Sequence, residues 1–132
     1  MKIIILGVGR VGIYLAQTLD AAGHQVTVID RNRDAFARLG ADYGGQMVLG
    51  TGIDEDVLKK AGIEKADAFI AVTNGDNTNA MAGQIARHVF KVPHVVARMY
   101  DPIREDTYRL LGLDTVCSTV MGAEKIREMV GA

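Results

Sequence analysis

Three closely spaced glycines near the amino terminus have the spacing of a phosphate-binding turn. They form a G-x-G-x-x-G pattern directly after the apolar run at residues 2–6. The first glycine permits a tight turn, the second leaves room for a pyrophosphate, and the third lets a helix pack closely on the preceding strand. The helix N-terminus adds unpaired N–H groups and a partial positive charge. An ordinary glycine turn is the alternative. The candidate ligand contacts here are Gly7, Gly9, Arg10, Val11 and Gly12.

An acidic residue follows at the distance expected of a group that binds a ribose. Asp30 ends the second apolar run and lies 18 residues after Gly12, close to the roughly 20-residue spacing of dinucleotide-binding motifs. Its carboxylate could accept protons from both ribose hydroxyls and would repel a 2′-phosphate. Arg31, the next residue, could compensate part of that repulsion. A solvated aspartate in a turn is the alternative interpretation of Asp30.

Polar residues at two later points would join this site if the chain forms a parallel sheet. Thr51 and Gly52 could bracket an adenine, and Thr73 and Asn74 could contact the second half of a ligand. Ligands of open α/β sheets bind outside the carboxyl ends of the strands, where the strand order switches. Each pair could instead serve only its own turn.

Two arginines could reach a phosphate, whereas no residues form a catalytic or metal-binding set. Arg10 and Arg98 carry permanent charges near the predicted site, although either could be a surface or intersubunit arginine. The three histidines and Cys117 lack the spacing of metal ligands. The sequence also lacks a nucleophile elbow and a P-loop lysine. We therefore expect a binding site without catalytic machinery.

The elements that must position these residues alternate between strands and helices. Periodicity and boundary residues predict strands at 2–6, 25–29, 47–49, 66–72, 94–99 and 115–117. Helices are predicted at 11–22, 34–39, 54–62, 76–89, 101–112 and 121–130, with aspartate caps at the start of the third, fourth and fifth. This alternation predicts a Rossmann-type, doubly wound α/β sheet with right-handed crossovers and strand order 3-2-1-4-5-6.

Length and composition predict one globular domain. The chain has 132 residues, 48% of them hydrophobic and 23% charged, and its net charge of -1 gives no field that would favour nucleic acid or an anionic membrane. The apolar amino-terminal run is too short for a membrane span or a signal sequence. A single cysteine fits a reducing compartment.

The predicted final helix carries apolar residues that the rest of the domain has little means of covering. Met121, Ile126, Met129 and Val130 follow the point at which the sheet is complete. An exposed apolar helix face typically marks a protein–protein contact. We therefore expect self-association, at least to a dimer.

Taken in order, these motifs resemble the TrkA-N family, the nucleotide-binding lobe of potassium-conductance regulators that is also called the KTN domain or RCK N-lobe. The resemblance covers nearly the whole chain. It is carried by residues 3–12, Val28-Ile29-Asp30-Arg31, Val57-Leu58, Ala61-Gly62-Ile63, Ala66-Asp67-Ala68, Val72-Thr73, Val96-Ala97-Arg98 and Leu111-Gly112.

The resemblance implies a cytosolic regulatory subunit that binds NAD(H), ATP or ADP in the crevice of the glycine loop and catalyses no turnover. It also implies assembly into dimers and rings beneath a membrane potassium transporter or channel. By position, Arg10 and Arg98 match family residues that approach ligand phosphates, and Asp30 matches the ribose-binding acid. Full-length members carry a second, carboxy-terminal lobe, which we expect to be absent because the chain stops at Ala132.

One segment departs from the family pattern. Members usually have Gly-Asp-Ala-Thr after the third strand, where this chain has Gly50-Thr51-Gly52-Ile53 and so lacks a carboxylate and a hydroxyl. This difference affects the adenine side of the predicted site.

The main alternative function is that of a small NAD-dependent oxidoreductase, because the same glycine pattern serves dehydrogenases. Such an enzyme must place a substrate and a proton donor against the nicotinamide. Few residues follow the sixth predicted strand to build that pocket. A structural module with a vestigial site is a third interpretation, but it would tolerate bulk at Gly9 and Gly12.

Overall fold

Six parallel strands form one sheet in the order β3-β2-β1-β4-β5-β6, in a computed structural model that describes residues 1–132. This order confirms the predicted doubly wound α/β fold. The strands are β1 (Lys2–Leu6), β2 (Gln25–Asp30), β3 (Gln46–Leu49), β4 (Ala68–Ala71), β5 (His94–Met99) and β6 (Asp114–Cys117).

Helical segments connect successive strands. The α-helices are α1 (Arg10–Ala21), α2 (Glu55–Lys60), α3 (Asp76–Gln84), α4 (Pro102–Leu110) and α5 (Ser118–Val130). Two 3-10 helices, Arg33–Leu39 and Ile63–Lys65, and a π-helical extension of α3 at Ile85–Val89 complete the set. The predicted helix at 54–62 is therefore shorter than expected, because Gly62 turns left-handed at φ +90° and a separate 3-10 turn follows.

Helices cover both faces of the sheet over two hydrophobic clusters. One cluster joins β1, β4 and β5 to α2 and α3 through residues such as Phe69, Leu58 and Ala82, all of them fully buried. The other joins the opposite face of β1 and β2 to α1 and the first 3-10 helix through Ile5, Val28 and Ala16. Such burial supplies most of the driving force for folding. It fixes the carboxyl ends of β1 to β4 at one edge.

Side chains cap α2 and α4 as predicted, but the predicted cap of α3 is wrong. Asp54 accepts hydrogen bonds from the first turn of α2, and Asp101 accepts one from the N–H of Ile103. Gly75 occupies the N-cap position of α3, and Asp76 is the first helical residue. Its carboxylate accepts from the N–H groups of Tyr100, at 2.8 Å, and Asp101, at 3.0 Å. Asp76 thus joins α3 to the β5–α4 loop.

A tyrosine fixes the connection into β3. The Tyr43 hydroxyl lies 3.0 Å from the carbonyl oxygen of Val26 and 2.9 Å from that of Gln46, and it can donate to either. Burial raises the pKa of the Tyr43 phenol well above its ordinary value, and the Asp20 carboxylate raises it further. A protonated Tyr43 therefore stabilises the edge of the sheet.

We expect Tyr43→Phe to lower the free energy of unfolding by about 1 kcal/mol near neutral pH, since it removes this hydrogen bond. The pKa of Tyr43 is higher in the folded protein than in the unfolded chain, so protonated Tyr43 stabilises the fold. This stability is fully present below pH 10.0 and is lost as the pH rises further. The parent should therefore lose stability above pH 10.0 more steeply than the variant. Urea titrations of the parent and the variant, near neutral pH and above pH 10.0, measure both effects. Tyr14→Phe, at an exposed position of α1, is the control, and equal effects of both changes would contradict the assignment.

Candidate functional site

A cleft of about 390 Å³ opens at the carboxyl ends of the strands, between β1 and β4, where the strand order switches. The loops that follow β1, β2, β3 and β4 all contribute to its lining. Leu6 of β1 pairs with both Ile29 and Ala71, so the residues after these three strands are brought together. This is the position that open α/β sheets use for ligands.

The glycine loop forms one wall of the cleft, and its three glycines meet different surroundings. Gly7 has φ +105°, and a Cβ there would lie 2.8 Å from the backbone nitrogen of Thr73. A Cβ on Gly12 would overlap the carbonyl oxygen of Gly7. A Cβ on Gly9 would meet nothing within 4 Å. Gly7 and Gly12 are thus required by the fold, whereas Gly9 leaves open space in the cleft.

Helix α1 begins at this loop without a side-chain cap. Gly9 occupies the N-cap position and no side chain accepts from the first turn, so the N–H groups there are available to an anion. Arg10 and Val11 begin the helix and are exposed, but neither lines the cleft. Gly12 is buried behind the loop and also lies outside the lining.

Asp30 connects the end of β2 to the glycine loop. One carboxylate oxygen accepts from the N–H of Val8 and the other from the N–H of Asn32, each at 2.8 Å. Each oxygen has a further lone pair, so the carboxylate can still accept from ligand hydroxyls. Asp30 lines the cleft, where it both orders the loop and presents negative charge.

The loop after β3 forms the opposite end of the cleft. Thr51 is exposed and Gly52 buried, and both line the cleft. A Cβ on Gly52 would overlap the side chain of Leu6. Leu6 would have to change its side-chain conformation to accept an alanine at position 52. Ile53, which sequence analysis did not select, adds a half-exposed apolar side chain to the lining.

Thr73 and Asn74 line the cleft on the β4 side, together with Gly75. Beneath them lies Asn79, whose side chain is fully buried and makes four hydrogen bonds to Thr73 and Arg98. Sequence analysis missed Asn79. Its only signal is a polar residue three positions after Asp76, on the inward face of an otherwise small-residue helix.

Arg98, an expected phosphate contact, does not line the cleft, because its guanidinium is held against the backbone of the loop after β4. Its Nη2 donates to the carbonyl oxygens of Val72, at 2.8 Å, and Thr73, at 3.1 Å. The guanidinium carbon lies 4.7 Å from the centre of the Tyr100 ring, within cation–π range. Arg98 is about nine-tenths buried and supports the backbone of the loop after β4.

Two other arginines supply positive charge to the cleft. Arg31 and Arg38 both line it, and neither forms a salt bridge. Arg38 was missed because it lies in a 3-10 helix, Arg33–Leu39, where an α-helix was expected. In that geometry residues three apart are stacked, so Asn32, Ala35 and Arg38 all reach the cleft. With Asp30 as the only acidic residue of the lining, the cleft suits an anionic ligand.

The structure therefore brings eight of the twelve predicted contacts to one cleft. These are Gly7, Gly9, Asp30, Arg31, Thr51, Gly52, Thr73 and Asn74. No group of three or more histidine, cysteine or acidic side chains is placed to hold a metal ion. Every helix also falls short of the length and apolarity needed to cross a bilayer.

Comparison with known proteins identifies relatives of the chain. The TrkA-N domain pattern matches residues 3–119. The Trk system potassium uptake protein TrkA of Streptomyces coelicolor is 49% identical over 126 residues, which are 96% of this chain and 56% of that protein. TrkA of Vibrio alginolyticus is 43% identical over 77% of this chain and 22% of its own length. The chain thus spans about half the length of the Streptomyces coelicolor protein and less than a quarter of the Vibrio alginolyticus protein. Both relatives are named as potassium uptake proteins.

Solved structures agree with the sequence relatives. GsuK bound to ADP superposes with a TM-score of 0.83 at 28% identity, over 98% of this chain and 34% of that one. The GsuK channel bound to NAD superposes with a TM-score of 0.73 at 25% identity, over 87% of this chain and 21% of that one. The TrkA-N domain of ybaL from Escherichia coli superposes with a TM-score of 0.86 over 97% of this chain and 95% of that one. Its identity of 22% supports the fold alone. Because the domain pattern covers most of the chain, from residue 3 in β1 to residue 119 beyond β6, the chain belongs to the TrkA-N family.

Proposed function

We propose that the cleft binds NAD(H), ATP or ADP and that the chain is a regulatory lobe of a potassium-uptake system. The observation that carries this proposal is the cleft itself, in which an uncapped helix N-terminus, an open Gly9 and the Asp30 carboxylate face one space. Phosphates match the helix terminus, and ribose hydroxyls match the carboxylate.

The remaining lining suits the other parts of such a ligand. Thr51 and Ile53 offer a polar and an apolar surface to an adenine ring, and Arg31 and Arg38 can offset the charge of the phosphates. Thr73 and Asn74, on the β4 side of the glycine loop, face the second half of a dinucleotide. This division gives NAD(H) more contacts than a mononucleotide.

The same proposal includes the partners. α5 contains no buried residue, and its apolar side chains Met121, Ile126, Met129 and Val130 are all more than half exposed. A second copy of the chain would cover them, giving a dimer or ring. The relatives are potassium-uptake proteins, which supports a cytoplasmic position against a membrane potassium transporter or channel subunit. Contacts with nucleic acid or insertion into the membrane are not part of this function.

The alternative, an NAD-dependent oxidoreductase, needs a proton donor beside the nicotinamide. The cleft lining contains no histidine, lysine, tyrosine or cysteine. Its hydroxyl groups belong to threonines, which are poor general acids at neutral pH. The lining therefore favours binding without turnover.

Binding of NADH should depend on Asp30 more than binding of NADPH does. Asp30→Ala removes charge-assisted hydrogen bonds worth about 1.5–3 kcal/mol, so the Kd for NADH should rise roughly 10- to 100-fold. The Kd for NADPH should rise less, because the same change relieves repulsion of the 2′-phosphate. Isothermal calorimetry of the parent and the variant with NADH, NADPH, ATP and ADP measures both effects.

Asp34→Ala is the matched control. Asp34 is an exposed acid of the same segment that does not line the cleft, so its loss changes the net charge equally and should leave both affinities unchanged. Equal losses for NADH and NADPH in Asp30→Ala would remove Asp30 from the ribose site. Failure of the parent to bind any of the four nucleotides would reject the proposed function.

A further inference from the structure

The three residues after β4, Thr73 to Gly75, form a short segment that we name the Thr73 loop. It borders the cleft on the side away from Asp30. Thr73 is partly buried, whereas Asn74 and Gly75 are exposed. A segment of this kind normally moves freely unless side chains hold its backbone.

Asn79 holds this backbone from below. Its side-chain oxygen accepts from the N–H of Thr73 at 2.9 Å and from the Thr73 hydroxyl at 2.6 Å. Its side-chain nitrogen donates to the carbonyl oxygens of Thr73, at 3.0 Å, and Arg98, at 2.9 Å. All four hydrogen-bonding positions of the amide are thus used. The side chain is 0% exposed, so no ligand can touch it directly.

These contacts hold the N–H, the carbonyl oxygen and the side-chain hydroxyl of Thr73. The hydroxyl oxygen in turn lies 3.2 Å from the N–H of Gly75, which donates to it. The N–H of Asn74, between them, has no acceptor in the protein. The Thr73 loop therefore keeps one donor free at the cleft while its neighbours are held in place.

We propose that Asn79 is a positioning residue that holds the Thr73 loop ready for the half of a dinucleotide that lies beyond the pyrophosphate. This inference rests on the proposed function and deepens it, because it assigns recognition of the second half to a buried side chain outside the cleft. AMP ends at its phosphate and lacks this second half, so its affinity should depend little on the Thr73 loop. Asn79 thus favours dinucleotides over AMP.

The test compares Asn79→Ala with Asn77→Ala by calorimetry, using NADH and AMP as probes. Asn77 lies on the same helix and is exposed, where it accepts from Arg104 at 2.9 Å. We expect Asn79→Ala to raise the Kd for NADH tenfold or more and to change that for AMP by less than twofold. Asn77→Ala should alter neither. A general loosening of the fold would weaken NADH and AMP by the same factor, and that result would overturn the inference.

Amide hydrogen exchange on the parent provides a check that needs no variant to fold. The N–H of Thr73 should exchange slowly before any ligand is added, and its protection should change little when NADH binds, since the loop is already in place. Exchange of this amide at the rate of an unfolded peptide would overturn the inference. If the parent binds AMP but Asn79→Ala leaves NADH affinity unchanged, only the inference fails. A parent that binds ATP or ADP but not NADH would also overturn only the inference. A parent that binds none of NADH, AMP, ATP and ADP would reject the proposed function as well.

Discussion

Gly9→Val should abolish nucleotide binding while leaving the protein folded. The backbone of Gly9 has φ -89° and ψ -162°, which is extended and acceptable to valine. An added Cβ meets no protein atom within 4 Å, so the fold accepts the side chain. The branched side chain would instead fill the space that a pyrophosphate needs beside the α1 N-terminus. We expect the Kd for NADH to rise at least about 100-fold, or roughly 2.7 kcal/mol.

Gly12→Ala provides the matching comparison, because this change in the same loop should destabilise the fold, whereas Gly9→Val should not. A Cβ at Gly12 would overlap the carbonyl oxygen of Gly7. Helix α1 would have to move away from the loop, at a cost of about 1–3 kcal/mol in the free energy of unfolding. Thermal unfolding and calorimetry on both variants separate the two effects. A folded Gly9→Val protein that binds NADH with the parent's affinity would place any nucleotide outside this cleft.

The sequence predicts the sheet and the glycine loop because both depend on local signals. β1 is a continuous apolar run, as strands buried on both faces are, and right-handed crossovers leave few strand orders to choose from. Gly7 to Gly12 and Asp30 stand at fixed distances from the ends of β1 and β2, so their approach follows from the fold. The placement of Thr51 and Thr73 at the same edge follows in the same way.

These local signals predict neither the direction of a side chain nor the type of a helix. Arg98 was expected at the phosphates, but nothing in a β-strand pattern reveals that its guanidinium turns to the Val72 and Thr73 carbonyls. Arg38 reaches the cleft only because its helix is 3-10. Asn79 serves a backbone six residues away, a contact that no periodicity reports. The missed residues are thus those whose roles depend on tertiary contacts.

Met129→Glu should disrupt self-association of the chain. The apolar side chains of α5 remain uncovered in the single chain, and Met129 is 76% exposed. Covering Met129 in a dimer would contribute about 1.5–3 kcal/mol, and a glutamate at that position would lose this contribution and add the cost of burying a charge. We therefore expect the dimer Kd to rise roughly 30-fold or more. Analytical ultracentrifugation over a range of concentrations measures it.

Lys125→Gln is the control for Met129→Glu, since it changes the net charge by the same amount on the same helix but removes only an exposed ion pair with Glu128 at 3.5 Å. It should leave association unchanged. Repeating the sedimentation with NADH and with ATP tests whether ligand identity alters packing, which requires that the two subunit arrangements bind that ligand with different affinities. A parent that is monomeric at every concentration would reject the proposed oligomer. Identical association in all ligand states would instead reject only a nucleotide-controlled change of packing, because α5 would then associate independently of the cleft.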